Sequence, residues 1–156
     1  MKKCLLLLLA ILLLAGCAAQ EAPVPDAVQT EAVVQNEGLT KWEQELARLA
    51  EQSDAIKYSL EHDPLNQMEM NQKARELYDL WDDALNRLWT DLETGLPEGV
   101  FDVLLQDQLT WIADKEAAME AAGQMYEGGS IYPLIIYSEG AQITQERVYA
   151  LFELLK

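Results

Sequence analysis

Few side chains in this sequence could carry out catalysis or bind a metal. His62 is the only histidine, and the two cysteines, Cys4 and Cys17, lie near the N-terminus, so a His-based triad has no thiol beside it. Asp82 and Asp83 could serve glycoside chemistry, but adjacent residues of a helix point apart. The sequence has no zinc-spaced cysteine and histidine cluster, no calcium loop and no glycine-rich phosphate loop. It therefore predicts a protein that is not an enzyme and uses no metal or cofactor.

Cys17 has the most specific predicted chemistry, which is lipidation. Lys2 and Lys3 precede an uncharged apolar run, Leu5 to Leu14, that is too short for a bilayer span of about 20 residues. The order Leu-Ala-Gly-Cys ending at Cys17 resembles the lipobox of bacterial lipoproteins, in which the cysteine is acylated and becomes the first residue. The resemblance implies a signal peptide over residues 1–16, export, and a lipid anchor in the cell membrane, or in the outer membrane if the source has one. The alternatives are an ordinary secretory signal with a chance cysteine, or an uncleaved anchor.

Residues 17–38 are predicted to be a flexible linker. The stretch from Ala18 to Gly38 contains two prolines, several acids and no aromatic residue, so it cannot bury enough apolar surface to order itself. An extended spacer of about 3.1 Å per residue would hold a folded domain some tens of ångströms from the membrane. That domain is expected over residues 39–156.

The charge balance bears on the partner. The formal net charge is -16, and removal of Lys2 and Lys3 with the leader lowers it to -18. Nucleic-acid binding is disfavoured because phosphate backbones bind clustered Lys and Arg. A cationic partner is favoured, although a strongly acidic surface can also serve solubility alone.

Helical periodicity dominates the domain. A first helix is predicted from a capping box at Thr40 and Glu43. His62 falls at the expected end of this helix, as a cap or solvent residue. After a break, Asp63 with Pro64 offers one start for the next helix, and Asn66 with Glu69 offers a second. The second helix has the clearest apolar face, and Gly95 with Pro97 should end it. That face comprises Leu77, Trp81, Ala84, Leu85, Leu88 and Leu92. Asp83 and Arg87, four residues apart, are expected to pair on its outer side.

A third helix is predicted from about Pro97 to Met125, with two adjacent apolar stripes that indicate burial between neighbours. One stripe runs through Leu104, Gln108, Trp111 and Ala118, and the other through Phe101, Leu105, Leu109 and Ile112. Gly128 or Gly129 should take positive φ in the following turn, and Ser130 should cap a last helix that Pro133 can open. The expected fold is all-α, an antiparallel bundle of about four helices.

Three polar residues fall among the predicted core positions. Asn86 follows Leu85, Gln108 lies one turn before Trp111, and Arg147 precedes Val148. Each would need a hydrogen-bond partner if buried. We therefore predict a polar seam that fixes the register of the helices, with a ligand site as the less favoured alternative.

The motifs from Leu65 to Leu151 together resemble the lysozyme inhibitor LprI-type domain of bacterial envelope proteins. The matching pattern is Met-Asn, a Tyr, Asp-x-x-Leu-Asn, Gln-x-x-Trp, Gly-Gly and Thr-x-x-Arg. It falls on Met70, Asn71, Tyr78, Asp82, Leu85, Asn86, Gln108, Trp111, Gly128, Gly129, Thr144 and Arg147. The resemblance implies a helical domain in which Asn71, Tyr78, Asp82, Asn86, Gln108, Trp111, Thr144 and Arg147 are structural.

The sequence departs from the family pattern at its cysteines. Members usually carry cysteines in three regions that here hold Lys73, Met119 and residues 138–141. The fold should survive without the disulfides, whose loss costs about 2 to 5 kcal/mol. An Arg-Asp pair that often follows the tryptophan is here Lys115 and Glu116, which keeps the charge signs.

The predicted anchor, the acidic charge and the family resemblance together imply a tethered protein that binds, and in some members inhibits, a cationic cell-wall hydrolase. Tyr126, Glu127, Gly128, Gly129 and Ser130 would form a protruding contact with the enzyme, or else a simple interhelical turn. The alternative function is an envelope adaptor that binds another protein or a cell-wall component without inhibiting it.

Overall fold

The computed structural model describes the backbone of residues 26–156 and the side chains from Lys41 onward. Four long helices make up the described chain: α1 (Asp26–His62), α2 (Gln67–Gly95), α3 (Glu98–Gly123) and α4 (Tyr132–Phe152). Short 3-10 turns follow α3 at Gln124–Tyr126 and α4 at Glu153–Leu155, and no strand occurs among residues 26–156. The predicted all-α fold is confirmed. The predicted signal peptide and Cys17 lie outside the described residues.

The first helix begins earlier than predicted. Its backbone is helical from Asp26, so Thr40 lies inside α1 and the capping box predicted there is wrong. Asp26 opens a run of residues with adequate helix propensity, in which only Gly38 costs as much as about 1 kcal/mol. Part of the predicted linker therefore has helical backbone, whereas the domain boundary at residue 39 stays a prediction.

The start and end of α2 follow from local sequence. The Asn66 side chain accepts hydrogen bonds from the backbone N–H groups of Met68 and Glu69, while Glu69 accepts one from the Asn66 N–H at 2.8 Å. This reciprocal capping box satisfies donors that a helix start leaves unpaired. The helix ends at Gly95, as predicted.

The helices run alternately up and down, and α4 packs against both α2 and α3. Antiparallel pairing of α1 with α2 brings Trp42 to Asp91 near one end and Ser53 to Trp81 at the middle. Near the other end, Asn71 at the start of α2 reaches Ser130 just before α4. The chain therefore enters the bundle at the Asp91 end, and the turn before α4 lies at the opposite end.

The core is built on the apolar face of α2, as its period of 3.6 residues predicts. Every residue predicted on that face is buried, and residues of α1 and α4 close over it. The indole N–H of the fully buried Trp81 donates to the Ser53 hydroxyl at 3.2 Å. A buried aromatic ring thus keeps its polar atom paired.

The third helix is less buried than predicted. Leu104 and Gln108 are buried, but Leu109 and Ile112 are 54% and 37% exposed. The expectation that both stripes lie between neighbours is wrong for Leu109 and Ile112 of the second stripe, whereas Phe101 of that stripe packs against the core. A helix that is apolar on several sides does not specify by itself which side meets its neighbours.

No described helix is both long enough and apolar enough to cross a membrane.

Candidate functional site

A polar cluster links α3 to α4 around Trp111. The Arg147 guanidinium donates from Nε to Gln108 Oε1 at 2.8 Å and from Nη2 to Asp107 Oδ2 at 2.6 Å. Its central carbon lies 5.5 Å from the centre of the Trp111 ring. Gln108 is buried and the Arg147 side chain is only 13% exposed. These bonds connect α3 to α4, and fixing the register of the two helices stays the predicted role of Gln108 and Arg147.

Lys115 brings α2 into the same cluster. Its ammonium group lies 3.0 Å from the Tyr78 hydroxyl, 3.4 Å from Asp82 Oδ1, and 5.1 Å from the centre of the Trp111 ring. The side chain is buried although Lys is rarely so. Trp111 therefore contacts two cations, each with its own carboxylate. The burial of Lys115 was not expected from the sequence; the signal for it was the position of Lys115 one turn after Trp111.

Asn86 and Thr144, which were also predicted to be structural, form no hydrogen bond with Arg147 or Lys115 of the cluster around Trp111. Asn86 is exposed, so the expectation that it belongs to a buried polar seam is wrong; its amide donates to Asp82 one turn earlier, at 3.3 Å. Thr144 is fully buried, and its hydroxyl has no hydrogen-bond partner among the described residues. Asn86 points outward because it lies beyond the edge of the face that α2 turns to the core.

The expected pairing of Asp83 with Arg87 is also wrong. Arg87 instead donates to Glu45 of α1 at 2.7 Å, and Arg48 donates to both oxygens of the same carboxylate. The hydrogen bond from Arg48 is the main reason that the pKa of Glu45 is lowered, with burial opposing it. Arg87 therefore pairs with Glu45, which also binds Arg48, rather than with the exposed Asp83 on its own helix.

The turn between α3 and α4 is braced by a hydrogen bond from α2 and by one within the turn. The Asn71 side-chain amide donates to the Ser130 carbonyl at 2.8 Å, and Gly129 N–H donates to the Tyr126 carbonyl at 2.9 Å. Gly128 takes the predicted positive φ, at 73°, which glycine adopts without strain. Ser130 does not cap α4, because that helix begins at Tyr132 and has no side-chain cap. Five consecutive residues, Tyr126 to Ser130, are exposed on this braced turn.

Acidic side chains dominate the surface next to the turn. Two hollows of about 520 and 480 Å³ lie elsewhere on the bundle, whereas the hollow beside the turn measures about 360 Å³ and is lined by Glu120, Glu127 and Tyr132 among others. Between Arg87 and Arg147 the sequence contains one basic residue, Lys115, and that residue is buried. The six carboxylates of α3 are all exposed, and Asp107 alone forms an ion pair with a described side chain. This surface attracts cations.

Among the described residues, no group of three or more histidine, cysteine or acidic side chains is arranged to hold a metal ion.

No curated protein and no solved structure matches the chain. The family model described as "Lysozyme inhibitor LprI" matches residues 61–151, more than half of the chain. The matched segment contains the Asn71 brace, the Lys115 and Arg147 cluster, and the exposed turn. The chain therefore belongs to the lysozyme inhibitor LprI family.

Proposed function

We propose that this protein is a membrane-anchored lipoprotein, lipidated at Cys17, whose helical domain binds and inhibits a cationic cell-wall hydrolase of the lysozyme type. The observation that carries the proposal is membership of the lysozyme inhibitor LprI family. The leader supports it from the sequence, because a lipid anchor outside the cytoplasm would place the domain where such enzymes act.

The position of the turn supports the proposed contact. The chain enters the bundle near Trp42 and Asp91, while Tyr126 to Ser130 lie at the other end, beside Asn71. Asn71 and Asp91 are 20 residues apart on one helix, or about 30 Å. A domain tethered through its N-terminus thus presents this turn away from the point of attachment. A braced turn also loses little conformational freedom on binding, which favours affinity.

The charge distribution supports a cationic enzyme as the partner. The carboxylates of α3 and Glu127 extend to the turn with no exposed basic residue between Leu88 and Glu146. Opposite charges accelerate encounter and orient the partner, and salt screens this effect over about 10 Å at 0.1 M. Salt screens the attraction less where the turn and the enzyme are in direct contact and exclude water.

The test is inhibition of a basic lysozyme by the non-lipidated chain that begins at Ala18. Lysis of a cell-wall suspension is followed at increasing inhibitor concentration, from low to physiological salt. We expect inhibition that weakens with salt but does not vanish. Binding without loss of lysis would indicate the adaptor function instead, and neither binding nor inhibition at low salt would refute a lysozyme-type partner.

A pair of charge reversals tests the contact. Glu127→Lys on the turn should weaken inhibition about tenfold or more, because it places a cation against the enzyme. Glu116→Lys is the matched control, since this exposed residue of α3 undergoes the same change in charge away from the turn. Equal loss in both variants would show that only net charge matters.

Lipidation is tested separately. Replacement of Cys17 by Ser should release the processed protein from membranes. A variant that is processed and still remains in the membrane fraction would contradict the proposed anchor.

A further inference from the structure

An apolar groove of about 670 Å³ lies between the beginning of α3 and the end of α4. Buried Leu104 and Leu151 form part of its floor. Val100, Val103 and Leu154 line it and remain 53%, 72% and 52% exposed. Single exposed apolar residues are ordinary, but several that share one concave surface are typical of a docking site.

The groove and the turn lie at opposite ends of α3. Val103 precedes Tyr126 by 23 residues, which corresponds to about 35 Å along a helix. A partner at the turn would therefore leave the groove accessible. Binding of an enzyme at the turn therefore does not account for the groove.

The charges beside the groove indicate the chemistry of its partner. Asp107 and Asp114 continue the line of Val100 and Val103 along the same side of α3, at spacings of three, four and seven residues. Arg147, also at the groove, already donates to Asp107 and Gln108. The surface therefore passes from apolar side chains to carboxylates, and its one lining cation is already paired.

We propose that this groove binds a basic amphipathic helix of a partner protein. Two or three apolar side chains of that helix would fill the space between Val100, Val103 and Leu154. A Lys or Arg side chain of that helix would reach Asp114, and another would share the 62% exposed Asp107 with Arg147. An apolar row between i and i+7 is the pattern by which a helix occupies a groove. The proposal goes beyond hydrolase inhibition and does not require it.

The test uses the non-lipidated chain from Ala18 and a synthetic amphipathic helix of leucine and lysine as the probe, with binding measured by fluorescence anisotropy. A scrambled peptide of the same composition controls for charge alone. We expect the amphipathic peptide to bind at least tenfold more tightly than the scrambled one. Equal binding of the two would overturn the proposal.

Two matched substitutions locate the site. Val103→Glu should weaken peptide binding about tenfold or more, even though it makes the protein more acidic, because it places a charge in the apolar groove. Leu109→Glu adds the same charge to the same helix at a 54% exposed position outside the groove, and it should leave binding unchanged or slightly stronger. Equal effects of the two substitutions would overturn the assignment, and helical circular dichroism verifies that both variants fold.

Two further measurements examine other occupants. Sedimentation of the chain alone would reveal a dimer that Val103→Glu dissociates, and a fluorescent fatty acid would reveal an acyl-chain site. Either result, combined with no preference for the amphipathic peptide, would overturn the proposal. Loss of lysozyme inhibition in Val103→Glu is not expected, so failure of this inference is distinct from failure of the proposed function.

Discussion

The buried ammonium group of Lys115 permits a sharp test of how α2 and α3 are held together. Asp82→Asn preserves the shape of the side chain but removes the carboxylate 3.4 Å from the Lys115 ammonium. Two unit charges at that distance attract by about 5 kcal/mol at an effective dielectric constant of 20. The Asp82 side chain is 35% exposed, so solvent screening and desolvation reduce the net effect to about 1 to 2 kcal/mol.

Lys115→Met is the informative counterpart. It removes the buried charge altogether, keeps most of the side-chain volume, and leaves Asp82 partly solvated. The Tyr78 hydroxyl loses a hydrogen-bond partner, at a cost of about 1 kcal/mol. We therefore expect the free energy of unfolding of Lys115→Met to lie within about 1 kcal/mol of wild type, and the double variant to resemble Lys115→Met rather than the sum of the two losses.

Urea denaturation followed by circular dichroism at 25 °C measures all four proteins. If Lys115→Met lost more than about 3 kcal/mol while Asp82→Asn lost less than 1, the contacts of the ammonium group with Trp111 and Tyr78 would dominate its ion pair. That outcome would refute the reasoning that Asp82→Asn destabilises the protein because it leaves the buried charge of Lys115 without a carboxylate.

Three further predictions concern packing, capping and pH. Gly140→Ala should lower the free energy of unfolding by about 1 to 2 kcal/mol, because its Cβ would lie 2.8 Å from Met119 Sδ; thermal unfolding measures the loss, which Met119→Ala should partly relieve. Asn66→Ala should cost about 1 kcal/mol in urea denaturation, through loss of the cap. Burial raises the pKa of Asp91, but hydrogen bonds from Lys41 and Trp42 outweigh it, so its pKa lies below the ordinary value of 3.8. The resulting stability is present above pH 3.8 and lost as pH falls through the folded pKa, so Asp91→Asn should destabilise at pH 7 and progressively less below pH 3.8.

Met119 of α3 and Gly140 of α4 show how closely these two helices pack. A Cβ added at Gly140 would lie 2.8 Å from the end of the Met119 side chain. The small residue on α4 leaves space for the flexible methionine on α3. Methionine fills irregular gaps well, so this contact contributes to the packing of α3 against α4.

Local features of the fold were predictable from sequence alone. The buried face of α2, its cap at Asn66, its end at Gly95 and the positive φ of Gly128 all depend on residues within about four positions of one another. Periodicity and capping chemistry are therefore sufficient to specify them. The motif pattern likewise identified the family before the positions of its residues in space were known.

Tertiary structure alone decided which side chains meet across helices. Arg87 pairs with Glu45 and not with its neighbour Asp83, because α1 places the Glu45 carboxylate, which Arg48 also binds, beside it. Lys115 became buried because Tyr78 and Asp82 faced it from α2. The apolar sides of α3 were visible in the sequence, but the crossing of α3 with α4 determined which side was covered. Sequence periodicity specifies a helix face, whereas interhelical geometry specifies its partner and the groove that stays open.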